Sequence, residues 1–474
     1  MLVRSTKFLA AATLLPLFAF HSVVFAQDNL GDESTIVYPA IYFAEYAPVT
    51  ALDMVNRIPG INIQNNAAGS SSRGAFRGGR GLGSGGGGTQ VLVNGKRVAG
   101  KNNNTQAMLA RITAEQVAEI RLIRGTSGDL DVRGSTQIAD IILFEELSDS
   151  SLSVEINTSI YADNRSEPGG SASYGGKSGN LDFLLSAIAE PKYEHMVARE
   201  HSILADFLPN DRILENRVRE QTQYTLSTNL GYEINANSSA RFNALYSQND
   251  NPTKVSRRTV DLRNPGSVPF DEREFIPGEQ SNWEIGGDYE YIFGNGNRAK
   301  VLFITNENDT ASTRERFVVD ASGEETKNLF LDAASILQER IVRGSYTMKL
   351  FDQQSVEFGL ERAQTILESD LLMGLALDSG TPSAAYGGLV PVTVTNANTR
   401  VEEIRYEPFA IHNWRLNSRM SLETSLIYET SEIEQVGEFN NTRSFEFFKP
   451  KLDFRFDITP QLQLRFLLDK FVRQ

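Results

Sequence analysis

The chain of 474 residues contains no cysteine. No disulfide framework, thiolate metal site or cysteine nucleophile is therefore available to it. It has only four histidines, and one of them, His21, sits in an N-terminal segment that reads as an export signal. The remaining three, His195, His201 and His412, leave little scope for general acid–base chemistry, and the six-residue spacing of His195 and His201 fits no helical metal pair. Both fall in a segment that reads as a solvated loop, with Tyr193 and Glu194 beside them. The glycine-rich run lacks the Gly-Lys-Ser/Thr ending of a phosphate-binding loop, so nucleotide binding is not supported. Beyond residue 26 no stretch approaches about 18 consecutive apolar residues, so a membrane could be crossed only by strands closed into a barrel. Positive charge is also in deficit. The formal net charge is −14, and without the first 26 residues, which hold two of the 46 bases and none of the 60 acids, it is −16. That balance argues against a nucleic-acid partner.

What is present begins with the leader. Arg4 and Lys7 precede an apolar core, Phe8 to Phe20, and Val24-Phe25-Ala26 is an acceptable cleavage end, so residues 1–26 are expected to be removed on export. A short lead follows, residues 27–46, with one extended segment, Thr35-Ile36-Val37-Tyr38-Pro39. Residues 47–145 have the order of a compact α+β unit. Thr50 is placed to cap a short helix with Leu52, Val55 and Ile58 on one face, stopped by Pro59-Gly60. A strand is expected from Ile61 to Gln64. A Gly- and Ser-rich loop carrying Arg73, Phe76, Arg77 and Arg80 comes next. Val91-Leu92-Val93 then leads into an Asn94-Gly95 turn suited to type I′ and a return through Lys96-Arg97-Val98. Thr113 and Gln116 have capping-box spacing, which predicts a helix from about Ala114. Strand-like runs at Ala118–Gly125 and Ile138–Phe144 close the unit.

From residue 150 onward the pattern changes to period-two alternation. Tyr224, Leu226, Leu230, Tyr232 and Ile234 alternate with Thr225, Ser227, Asn229 and Glu233, and Trp283, Ile285, Tyr289 and Tyr291 with Glu284, Gly286, Asp288 and Glu290. The same holds for Val342–Leu350 and Leu452–Ile458. Regular charge opposite an apolar set over long strands is the signature of a membrane barrel, with Tyr232, Tyr291 and Trp414 as interfacial aromatics. Short turns alternate with longer polar segments, notably Pro191–Val218, Asn249–Ser281, Glu307–Lys327 and Glu368–Arg400, which read as outer loops.

The pieces Ala51–Gly60, Arg73–Gly78, Val91–Arg97 and Glu119–Gly125, in that order, resemble the plug domain of TonB-dependent outer-membrane receptors. The expected fold is therefore mainly β, an N-terminal α+β plug followed by an antiparallel transmembrane β-barrel at residues 150–474. The resemblance departs from the family pattern at Arg73-Gly74-Ala75-Phe76 and in the run Gly83–Gly88. It implies that Thr35–Pro39 is the box gripped by TonB, the periplasmic energy transducer, through strand addition. It implies outer-membrane lipid and a small nutrient of the ferric siderophore, cobalamin or carbohydrate class as the other partners, and no cofactor. It also implies that Arg73, Phe76, Arg77 and Arg80 face either substrate or an acidic barrel wall, with Glu284, Asp288, Glu290, Glu357 and Glu361 as wall candidates. The lead is too short for the signalling domain that some relatives carry.

About thirteen strands can be counted. Closed at a spacing of about 4.8 Å and a tilt of about 40°, they leave a bore near 16 Å, too narrow for a plug about 33 Å across. About 22 strands would be needed. The chain also ends at Phe471-Val472-Arg473-Gln474 without the family's usual terminal aromatic, so it reads as an incomplete barrel, a truncation or fragment. The rival expectations are an outer-membrane barrel enzyme or adhesin with the N-terminal unit as a lid, and a truncated receptor without function.

Overall fold

The computed structural model describes residues 35–48, 50–58, 61, 89–95, 109, 112, 114–123, 137–144, 150–264, 266–417, 419–459 and 462–470. The N-terminal part is a four-stranded sheet of order β1-β3-β4-β2. Its strands are β1 (Thr35–Pro39), β2 (Thr89–Val93), β3 (Val117–Ile123) and β4 (Gln137–Leu143). Among the described residues only β2 and β4 run parallel. One helix, α1 (Ala51–Asn56), packs on the sheet. Thr50 caps it in a full capping box with Asp53, each accepting from the other's backbone. Met54 and Val55 are buried with Leu109, Ile112, Val117, Ile120 and Ile141 in one core. Asn94 and Gly95 both have positive φ, 51° and 73°, as a type I′ turn requires.

Three expectations for this unit are corrected or left outside the described residues. The helix expected from Ala114 is a single 3-10 turn, Ala114–Gln116, because strand pairing with β4 takes over at Val117. Ile61 is irregular rather than the start of a strand, and 62–64 lie outside the described residues. The return strand through Lys96-Arg97-Val98 lies outside them too; the partner of β2 that is described is β4.

The second part is a sixteen-stranded antiparallel sheet. In chain order its strands are β5 (Ser151–Ile160), β6 (Ser166–Ser178), β7 (Leu181–Ile203), β8 (Pro209–Asn235), β9 (Ser238–Asp250), β10 (Thr253–Asp261), β11 (Phe270–Ile276) and β12 (Gly278–Ile292). They continue with β13 (Arg298–Val319), β14 (Glu325–Phe351), β15 (Gln354–Leu375), β16 (Val390–Val392), β17 (Thr399–Asn417), β18 (Met420–Val436), β19 (Asn441–Thr459) and β20 (Leu462–Asp469). Both β9 and β10 pair with β8, and both β11 and β12 with β13. Each couple is one long strand broken at a proline, Pro252 or Pro277, where the missing N–H interrupts the ladder. Joining the two couples and setting aside three-residue β16 leaves thirteen full strands, as the sequence leads one to expect. Neighbours alternate in direction throughout, so β5 and β20 run the same way. Among the described residues each of these two has a single neighbour and forms an edge.

Most of the expected outer loops are strand instead. β7 and β8 meet at a turn over residues 204–208, and β13 and β14 at one over 320–324. Asn249–Ser281 is largely the β10–β11 hairpin. Only 376–398 is mainly irregular, and it carries one 3-10 turn, Ala384–Tyr386, and β16. His195 and His201 accordingly sit on β7, with His195 Nε2 2.6 Å from Asn216 Oδ1.

Candidate functional site

Burial along the large sheet is inverted relative to a water-soluble protein. Glu284 and Asp453 are 0% exposed, while Ile156 is 85% and Phe466 58% exposed. Because opposed residues share a face, the register carries one polar face across the sheet: Glu284 opposes Asn306, and Arg343 opposes Glu361. The other face carries Leu226, Tyr289, Val301, Phe303, Val342, Leu360 and Leu426, all exposed. From Trp283 to Tyr291 this apolar face spans nine residues of β12. At a tilt of about 40° that is roughly 21 Å of height, close to the ~25 Å apolar band of an outer-membrane barrel. At the short-turn end a run of aromatics bounds it: Tyr291, Phe293, Tyr346 and Phe358 follow one another with ring centroids 4.9, 5.8 and 5.7 Å apart.

The polar face is bound together by ion pairs, all but Asp453–Arg455 crossing between strands. Arg343 and Arg405 reach Glu361 at 3.3 and 3.2 Å, Lys449 reaches Glu407 at 2.7 Å and Glu429 at 2.5 Å, and Asp453 takes Arg455 at 2.9 Å and Arg465 at 2.6 Å. This ladder runs from β14 to β20. Beyond the apolar band a second cluster centres on Arg257 of β10, which contacts Glu215 at 2.6 Å, Glu272 at 3.1 Å and Glu274 at 3.4 Å. Arg217, Arg314 and Arg316 complete it. Burial pushes the Glu215 carboxyl up, but Arg257 and Arg217 outweigh it and hold it below the ordinary carboxylate range.

Of the wall carboxylates expected to meet plug arginines, Asp288 is paired with Arg241 at 2.7 Å, Glu290 with Arg298 at 3.6 Å, and Glu361 with Arg343 and Arg405. Each of these three thus has a cation supplied by the sheet itself. Glu284 is buried on the same face, and Glu357 lies on it two residues before Gly359 on β15. Arg73, Phe76, Arg77 and Arg80 lie outside the described residues.

Thr35–Pro39 is β1, which among the described residues is an edge of the four-stranded sheet. It pairs antiparallel with β3, Thr35 opposite Ile123 and Pro39 opposite Glu119. Ile36 and Tyr38 pack against the core, whereas Val37 is 48% exposed. The 3-10 turn Ala40–Tyr46 then anchors the segment through Phe43, which is fully buried. Tyr38 and Phe43 both stack on Tyr42, edge-on at 5.1 and 5.0 Å. The sequence reading missed Phe43, although an aromatic four residues after an extended segment was there to be weighed. It also missed Asp140, which accepts from the Gly95 N–H at 2.8 Å and fixes the β2 turn. Burial pushes the Asp140 carboxyl above its usual range, the bond from Gly95 and the charge of Arg121 only partly opposing it. Where the two sheets follow one another, Gln116 Nε2 donates to Ser151 Oγ at 2.8 Å.

Comparison with known proteins gives two family matches. Residues 32–137 match the TonB-dependent receptor plug domain, and residues 161–467 match the TonB-dependent receptor-like β-barrel. No curated protein matches the chain. Among solved structures, the open form of the ferric-catecholate import receptor Fiu from E. coli K12 is 10% identical, with 92% of this chain and 84% of that chain covered at a TM-score of 0.35. The complex of FpvAI with pyocin S2 is 12% identical over 90% of this chain and 56% of that chain, at a TM-score of 0.45. The ferric yersiniabactin uptake receptor FyuA from Yersinia pestis is 11% identical over 92% and 85%, at a TM-score of 0.27. With a plug match followed by a barrel match over more than half of its length, the chain belongs to the TonB-dependent receptor family.

Proposed function

We propose that this chain is an outer-membrane receptor for energy-coupled uptake of a scarce small nutrient, of the ferric siderophore, cobalamin or carbohydrate class. Residues 1–26 are the export signal and 47–145 the plug. The observation that carries the reading is the place of β1: a short extended strand that, among the described residues, is at the edge of the plug sheet, in a chain whose large sheet turns its apolar face outward. TonB grips Thr35–Pro39 by adding a strand, where main-chain hydrogen bonds dominate and side-chain identity is loose. The arginines of the Arg73–Arg80 loop and Phe76 face the substrate path. The internal pairing of Asp288, Glu290 and Glu361 favours that over the wall, because those carboxylates already have partners.

A proline scan of β1 tests the coupling. Successive backbone N–H groups of a strand point to opposite sides, so of Ile36 and Val37 one donates toward β3 and the other toward the open edge. Proline removes that donor. In cells carrying the full chain, one of Ile36→Pro and Val37→Pro should abolish energised uptake while surface binding of the nutrient persists and the plug stays protease-resistant. Uptake unchanged in both variants would put the transducer contact elsewhere.

A further inference from the structure

Charge is not spread evenly over the polar face. Two transverse rows across β8, β9, β12 and β13 are neutral throughout. One runs Thr225, Ser247, Asn282, Asn308, each opposite the next, and the other Gln223, Asn249, Gln280, Thr310. All eight residues are half-buried. With strands about 4.8 Å apart and rows about 6.8 Å apart, their Cα positions span roughly 14 Å by 7 Å. One row nearer the short turns stands Glu284, followed by Asp288, and on the opposite side lies the Arg257 cluster. On the same four strands Arg241, Arg219 and Arg314 border the neutral strip. Each is held by a carboxylate of the sheet, Asp288 at 2.7 Å, Glu194 at 3.6 Å and Glu274 at 2.7 Å.

We infer that the nutrient is a neutral oligosaccharide whose hydroxyls bond to these two rows. The inference rests on the uptake reading above and narrows its three classes to one. An amide presents a donor and an acceptor side by side, as two neighbouring hydroxyls do, and Ser and Thr hydroxyls serve in either role. The amides are also held in place. Gln280 Nε2 donates to Asn308 Oδ1 at 3.0 Å, and Asn282 Nδ2 donates to the Glu307 carbonyl at 3.3 Å. Among the described residues Asn308 Nδ2, Gln280 Oε1 and Asn282 Oδ1 then have no hydrogen-bond partner, and Asn249 Oδ1 has none either. Each fixed amide thus keeps one half for a ligand, at little cost in ordering. An anionic ferric chelate would call for cations free of wall carboxylates, and those bordering the strip are neutralised. The apolar faces and phosphate of a cobalamin would meet amides and hydroxyls here.

The full chain is purified in lauryldimethylamine oxide, a detergent without a sugar headgroup. It is applied to an array of neutral plant, fungal and bacterial glycans, and ferric citrate and cyanocobalamin are titrated into it by calorimetry. One family of neutral glycans should bind, with an affinity indifferent to added salt because no charge pair is there to be screened. Asn282→Ala and Asn308→Ala should each weaken that glycan about fivefold to tenfold, the loss of one or two neutral hydrogen bonds. Gln248→Ala, on the outward face of β9, should leave the affinity unchanged, and the three variants should keep the native chain's protease resistance. Glycan binding that neither Asn282→Ala nor Asn308→Ala weakens, or that falls steeply with salt, overturns the site. Binding of ferric citrate or cyanocobalamin with no glycan bound overturns the sugar class and leaves the uptake reading intact. Binding of none of the three classes overturns the uptake reading as well.

Discussion

Arg257 is the residue on which the outer part of the sheet depends most visibly. It lies between Glu215, Glu272 and Glu274, all nearly buried, and is itself 22% exposed at the side chain. Arg257→Met leaves Glu215, Glu274 and Glu272 to Arg217, Arg314 and Arg316, which should loosen the β10–β11 hairpin by about 1–2 kcal/mol, less than a fully buried pair would lose. Hydrogen exchange of residues 253–276 would read the effect. The pH dependence should also weaken. In the native chain Glu215 is held below its unfolded value, so its contribution is present above that value and fades as pH falls through the folded one. Protection of the hairpin should therefore drop on acidification below about pH 4. In Arg257→Met, Glu215 loses its nearest cation and keeps only Arg217, so this loss of protection on acidification should shrink. Phe43 is the corresponding residue of the plug. Fully buried and stacked on Tyr42, it should cost about 3 kcal/mol of plug stability as Phe43→Ala, seen as faster proteolysis of β1. The partners of Arg257 could not be read from sequence, because cross-strand pairing depends on a register that no local pattern encodes.

At the scale of elements, legibility followed the solvent. Inside the apolar band one face meets apolar surroundings and the other water or charge, so β12, β14 and β19 alternate cleanly and were readable. Past the band both faces are wet. The outer halves of β7 and β8, with His195, Arg199, Glu200 and Asn216, then lose the alternation and resemble loops, although the ladder continues unbroken to Glu200 and Ile213. At 27 residues β14 is roughly 90 Å of strand, far more than a bilayer needs. In the plug, α1 and the Asn94-Gly95 turn were legible because their signals are local: a capping box and two residues that tolerate positive φ. The turn depends on Asp140 as well. Asp140→Asn keeps the bond to Gly95 and removes a carboxyl whose pKa burial has raised. Ionising that carboxyl costs stability as pH rises through the raised value, so the variant should match the native plug at low pH and exceed it at neutral pH. A thermal melt of the plug at the two pH values checks this.

For the molecule as a whole, the two faces of the thirteen-strand sheet carry the functional reading. Parity adds a constraint: with β5 and β20 pointing the same way, they could meet only as a parallel pair, and antiparallel neighbours between them must be odd in number. Export adds another expectation, that mass spectrometry of the mature protein finds Gln27 at the N-terminus and the protein in the outer membrane. The most direct test of the account asks which face meets lipid. Because the native chain has no cysteine, single substitutions can each carry a nitroxide without background labelling. Ile285→Cys, Val301→Cys, Phe303→Cys and Val342→Cys sample the apolar face, and Asn306→Cys, Ser345→Cys and Ser425→Cys the polar one. With the protein reconstituted in vesicles, the first set should relax strongly with dissolved oxygen and weakly with a polar nickel chelate, and the second set should show little oxygen access. Equal access on both faces, or oxygen access confined to the polar face, would contradict a membrane barrel with its charged wall turned inward.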